Sequence, residues 1–201
     1  MTAKPEIQGD PIGKDRHSET TGRRRLPGDP LPEAALHRML RVDQAGEYGA
    51  RRIYEGQLAA LGPRHPKAAV IREMYEQELA HLKTFDELLV ARQVRPTALQ
   101  PLWHVAGFAL GAATALIGER AAMACTVAVE EVIEEHYAKQ STALAAEEPE
   151  IREVIDRFRA EELEHRDIGL EHGAEETPGY EVLSAGIKAG SRLAIWLSER
   201  I

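Results

Sequence analysis

Cysteine is almost absent. Cys125 is the one thiol in 201 residues, which excludes an internal disulfide or a thiolate metal cage and makes a reducing setting the default. Aromatic residues are also sparse, at 5% of the chain, and no run alternates with period two, so a sheet protein is not expected. The uncharged segment 102–118 is only 17 residues long and rich in Gly and Ala, too short for a confident membrane span. No long basic block occurs after residue 32 and the net charge is −8, so nucleic acid is not an expected partner. No GxGxxG fingerprint follows a strand, which argues against a Rossmann site for flavin or nicotinamide.

The first 32 residues mix charges with Pro and Gly and lack the apolar core of a secretory signal. Arg23, Arg24 and Arg25 hint at an organellar presequence, but Glu6, Asp10, Asp15, Glu19 and Asp29 argue against one. The expectation is a disordered tail over 1–32 and one domain over 33–201.

What is abundant is Ala, Leu, Glu and Arg, a helix-forming mixture. Apolar periodicity predicts helices over 33–61, 67–93, 102–118, 119–144, 150–172 and 180–199, with breaks at Gly62-Pro63, before Pro96 and at Thr177-Pro178-Gly179. The expected fold is all-α: a helical bundle with extra helices. Segment 102–118 reads either as a buried core helix or as a helix lying on a membrane surface with Trp103 at one end. The last helix has an apolar stripe of Leu183, Ile187, Gly190, Ala194, Leu197 and Ile201, with Trp196 close to it.

Four of the stripes are interrupted by acids. They read Leu36, Leu40, Asp43, Glu47, Tyr54; then Ile71, Met74, Glu78, His81, Phe85; then Met123, Val127, Glu130, Tyr137; and last Ile151, Ile155, Phe158, Glu162, His165. With 26 glutamates in the chain, a lone ExxH means little, but here the unit repeats. Glu47 precedes Glu78-Leu79-Ala80-His81 by 31 residues, and Glu130 precedes Glu162-Leu163-Glu164-His165 by 32. Four such helices facing inward bring four carboxylates and two imidazoles to one depth. Left unpaired, each buried charge would cost several kcal/mol, roughly, or be neutralised by a proton. Two divalent cations balance four carboxylates, and oxygen ligands with one imidazole per metal suit iron or manganese.

Other polar residues carry less weight. His136, six residues beyond Glu130, and the adjacent Tyr137 are candidates for a substrate pocket. Asp43, one turn before Glu47, could orient a histidine ligand or simply be a helix-start carboxylate. His37, His65, His104 and His172 lie off the expected site.

These stretches resemble the demethoxyubiquinone hydroxylase family of ferritin-like di-iron monooxygenases. The resemblance is carried by RVDQAGEYGARRIYEGQ (41–57), ELAHLKTFDELL (78–89), ACTVAVEEVIEEHY (124–137) within a longer match from residue 95, and FRAEELEHRDIGLEHGAE (158–175). One departure is Gln44, where relatives often carry His. The resemblance implies an all-α, ferritin-like four-helix bundle with two additional helices, and two iron ions on Glu47, Glu78, His81, Glu130, Glu162 and His165, the set that helical phasing selects independently. It implies ring hydroxylation of a polyprenylated demethoxyquinol by O₂, the penultimate step toward ubiquinone. It favours external NADH as the reductant over a reductase partner. An accessory lipid-binding protein could present the substrate. The expected location is peripheral, on the cytoplasmic face of a bacterial inner membrane, or alternatively the matrix side of the mitochondrial inner membrane. The rivals are another ferritin-like oxidase, an iron-storage bundle and a metal-free helical domain.

Overall fold

The computed structural model describes residues 32–144 and 148–201. The tail expected over 1–32 therefore lies outside the described residues, apart from Pro32. Six α-helices follow one another: α1 (Glu33–Leu61), α2 (Ala68–Ala91), α3 (Gln100–Ile117), α4 (Glu119–Leu144), α5 (Pro149–Glu171) and α6 (Tyr180–Ser198), with a short 3₁₀ turn at Ala174–Glu176. No strand occurs among the described residues. The all-α expectation holds, and the helix limits differ from those expected by at most two residues.

Local chemistry places the breaks. After α1, Gly62 adopts φ 82° and hands its N–H to the Leu58 carbonyl before Pro63 stops the helix. Between α3 and α4, Gly118 takes φ 154°, a conformation costly for any residue with a Cβ, and lets the chain turn without a loop. Prolines occupy the first turns of α3 and α5, where no backbone N–H is needed.

α1 pairs with α2, and α4 with α5, as two helical hairpins; α3 and α6 cover the α1/α4 side. The buried apolar side chains form two clusters. One holds Leu36, Leu40, Phe85, Leu89, Tyr137, Ile151, Ile155 and Phe158. The other holds Tyr54, Ile71, Met74, Met123, Val127 and Ala174. Along each bundle helix the acidic position has buried or half-buried apolar side chains before and after it, so the polar layer is plugged with hydrocarbon at both ends.

The core-helix reading of segment 102–118 is not what forms. Only Gly111, Thr114 and Ala115 of α3 are buried, while Leu102, Val105, Leu116 and Ile117 are between 53% and 76% exposed. Small residues explain how α3 still packs tightly on α1. A Cβ on Gly111 would lie 1.9 Å from the Ile53 carbonyl oxygen, and one on Gly56 would lie 2.2 Å from that of Phe108. On α6 the expected stripe is mostly half-buried around buried Ile187, and Gly190 and Ile201 are exposed. A second apolar set, Val182, Leu193 and Trp196, faces outward.

Candidate metal centre

Each bundle helix delivers its acid to the middle of the interior. Glu47, Glu78, His81, Glu130, Glu162 and His165 are all at most 1% exposed. They fall into two groups, Glu47/Glu78/His81/Glu162 and Glu78/Glu130/Glu162/His165, within each of which the donor atoms lie no more than 4.8 Å apart. Glu78 and Glu162 belong to both groups, one from each hairpin.

The outer atoms of this set are occupied and the inner ones are not. Tyr54 donates its hydroxyl to Oε1 of Glu130 at 2.7 Å, and Tyr137 donates to Oε1 of Glu47. His81 and His165 direct Nε2 at Glu161 and Gln77, respectively. Facing the centre, Oε2 of Glu47 and Glu130, both oxygens of Glu78 and Glu162, and Nδ1 of both histidines have no hydrogen-bond partner. His81 Nδ1 lies 3.4 Å from Glu47 and 3.2 Å from Glu162, and His165 Nδ1 lies 3.2 Å from Glu78 and 3.3 Å from Glu162. Eight buried, convergent, unpartnered donor atoms are expensive as a structural feature and well suited to divalent cations. The residues fit a metal.

With protons as the only cations, the groups share them. Burial and the neighbouring Glu162 push the carboxyls of Glu78 and Glu130 well above the usual range. Burial alone would also raise Glu162, but the imidazoles of His165 and His81 close beside it hold it down to about 2. Burial opposes charge on His81, yet the carboxylates of Glu162 and Glu47 beside it carry it up to about 12, and His165 rises because Glu162 lies beside it. Burial and nearby carboxylates raise the phenols of Tyr54 and Tyr137, which therefore remain donors.

The remaining expectations fare unevenly. Tyr137 is 1% exposed and its hydroxyl donates to Glu47. His136 lines a cavity of 670 Å³ together with Arg38, Lys139 and Gln140, and its Nε2 lies 3.4 Å from buried Asp43. Asp43 is engaged by Gln140 at 2.6 Å, so the contacts described place it beside neither histidine of the cluster. Gln44 donates to Asp86 at 3.0 Å, away from the cluster. His37, His65 and His172 are half-buried and His104 is exposed, all outside the cluster. Sequence reasoning missed Gln77 and Glu161. The available signal was that each immediately precedes the glutamate of an ExxH unit.

An apolar cavity of 340 Å³ lies between α1, α3, α4 and α6, lined by Ala45, Ala50, Trp103, Leu110, Ile133 and Ile195 among others. It contains neither His136 nor Tyr137. Its walls include Gly46 and Val129, the chain neighbours of Glu47 and Glu130, so it runs behind the two helices that carry the lone glutamates.

Fold and site together define a ferritin-like helical bundle with a buried carboxylate–histidine cluster able to hold metal. The family described as ubiquinone biosynthesis protein COQ7 matches residues 34–198. The chain is 60% identical over 181 residues to a 3-demethoxyubiquinol 3-hydroxylase of Rhodospirillum rubrum, covering 90% of this chain and 85% of that protein. It is 56% identical over 177 residues to the mitochondrial NADPH-dependent 3-demethoxyubiquinone 3-hydroxylase of Homo sapiens, covering 86% and 81%. It is 44% identical over 184 residues to the mitochondrial 5-demethoxyubiquinone hydroxylase of Saccharomyces cerevisiae, covering 84% and 79%. The chain belongs to the ubiquinone biosynthesis protein COQ7 family.

Proposed function

We infer that the chain is a demethoxyubiquinol hydroxylase of ubiquinone biosynthesis, and that it works as a di-iron monooxygenase within residues 33–201. The relatives' names support the reaction, and the set of eight unpartnered inward donor atoms carries the two-metal reading. Glu47, Glu78, His81 and Glu162 would hold one ion, and Glu78, Glu130, Glu162 and His165 the other. What a bound iron pair supplies is activation of O₂: one oxygen atom enters a ring C–H bond, and the other leaves as water with two electrons and two protons.

The chain's own residues supply placement and dryness. The apolar clusters on either side of the polar layer keep bulk water from the reacting oxygen. Tyr54 and Tyr137 fix the lone glutamates by one oxygen each and leave the other free for metal. The apolar cavity behind α1 and α4 suits an isoprenoid chain, with its wall residue Trp103 tied to α6 through Ser198 at 3.0 Å. Outward-facing Leu102, Val105, Val182, Leu193 and Trp196 suit a membrane surface from which a polyprenylated quinol enters. No helix among the described residues is long and apolar enough to cross a membrane. A peripheral position on the cytoplasmic face of a bacterial inner membrane is our reading, with the matrix side of the mitochondrial inner membrane as the alternative.

The electrons come from an external reduced nicotinamide, NADH in this reading, although the human relative is named NADPH-dependent. Comparison of NADH and NADPH consumption coupled to product separates the two. An accessory lipid-binding protein would assist extraction of the substrate. The deciding experiment is anaerobic iron(II) loading of the full chain, then ¹⁸O₂ with demethoxyquinol. One labelled oxygen in the new ring hydroxyl is expected; unlabelled product, or none from an iron-loaded chain, contradicts the proposal.

A further inference from the structure

We infer that Gln77 and Glu161 are positioning residues that make the two metal positions unequal, an inference that rests on the two-metal reading above. Helices α2 and α5 carry matching units, Gln77-Glu78-Leu79-Ala80-His81 and Glu161-Glu162-Leu163-Glu164-His165. The first residue of each unit reaches across to the histidine of the other. Glu161 Oε2 meets Nε2 of His81, and Gln77 Oε1 meets Nε2 of His165. A carboxylate or amide oxygen only accepts, so each Nε2 is the N–H, and in the neutral imidazole that binds a metal the lone pair is on Nδ1. Both Nδ1 atoms are buried, unpartnered and aimed at the shared carboxylates. The two residues thus select the imidazole tautomer and fix the plane of the ring.

The crossed arrangement has one chemical asymmetry. Each metal position has Glu78, Glu162, one histidine and one tyrosine-bonded lone glutamate. Behind His81 stands a carboxylate; behind His165 stands a neutral amide. An anion accepting the Nε2–H makes Nδ1 a stronger donor than an amide does. The position with His81 is therefore the tighter of the two. Ring packing also differs, since Phe158 stacks on His81 at 4.0 Å while Tyr54 meets His165 edge-on, but changes at residues 77 and 161 leave those rings in place.

The test is an anaerobic calorimetric titration of the metal-free full chain with Mn(II), repeated with Co(II) and read by absorption. Wild type should bind two ions in two steps, with dissociation constants about tenfold apart, and Glu161→Gln should weaken the tighter step by about that factor and merge the two. Gln77→Glu should tighten the weaker step, a gain that loss of structure cannot imitate. The double exchange should restore two steps. Both changes are close to isosteric, so helical content and the melting temperature of the metal-free chain should stay near the wild-type values. Two bound ions whose constants move less than twofold in both variants would overturn the inference and spare the two-metal reading. A wild-type chain that binds neither ion overturns both.

Discussion

At the scale of single residues, the cluster separates shared from private ligands. Glu162 belongs to both donor groups, whereas His165 belongs to one. Metal analysis of Glu162→Ala should find both positions lost or badly weakened, while His165→Ala should retain the one built on His81; equal loss in the two variants would contradict the sharing. The proton ledger of the metal-free chain has a definite sign. Glu162, held at about 2 instead of the ordinary 4.5, stabilises the fold above pH 4.5 and loses that contribution as pH falls toward 2. His81, raised to about 12 from 6.5, stabilises below pH 6.5 and loses that contribution as pH rises through 12. Glu78 and Glu130 are raised, so they oppose folding increasingly as pH climbs past 4.5. Metal ligation requires all the raised groups to surrender protons. Anaerobic Mn(II) binding near pH 7 should therefore release protons, measured with an indicator dye in weak buffer, and affinity should increase with pH. Cys125, buried and pushed up to about 12, should ignore a thiol reagent at pH 8 until denaturant is added.

At the scale of elements, the α1–α3 contact leaves no room for a Cβ at Gly56 or Gly111. A methyl at residue 111 would meet the backbone of Ile53, which cannot yield as a flexible side chain does. Gly111→Ala should destabilise by about 1–3 kcal/mol or shift α3 on α1. Gly186 in α6 meets nothing within 4 Å, and Gly186→Ala should be neutral or stabilise by about 0.5–1 kcal/mol. Denaturant midpoints of the two variants give the comparison; similar shifts would mean the close approach is absent. The helix limits were legible because breakers such as Gly62-Pro63 and Thr177-Pro178-Gly179 act locally. The placement of α3 was not. An uncharged helix fits a core or a greasy exterior equally well, and only packing against α1 decided which.

For the whole molecule, the question is what the outward apolar face of α3 and α6 meets. Ile187 is buried, so charging it would unfold the helix instead of testing the surface. Val182, Leu193 and Trp196 are exposed and suitable. Changing all three to Glu should weaken binding to anionic phospholipid vesicles by at least about tenfold while leaving iron loading intact. Sedimentation with vesicles reads the first and metal analysis the second; undiminished vesicle binding would remove the membrane role of this face.

The sequence by itself determined the helices, the bundle and all six inward donors, because helical period and an acid in an apolar stripe are local signals that survive without coordinates. Tertiary structure decided what stands behind those donors. Gln77, Glu161 and Tyr54 act across helix gaps, and nothing in the spacing along one helix reports which neighbour a side chain will reach. It also decided that Tyr137 supports Glu47, that Asp43 pairs with Gln140, and that α3 lies outside. Each depends on how two hairpins meet, which is a property of packed surfaces and not of any single segment.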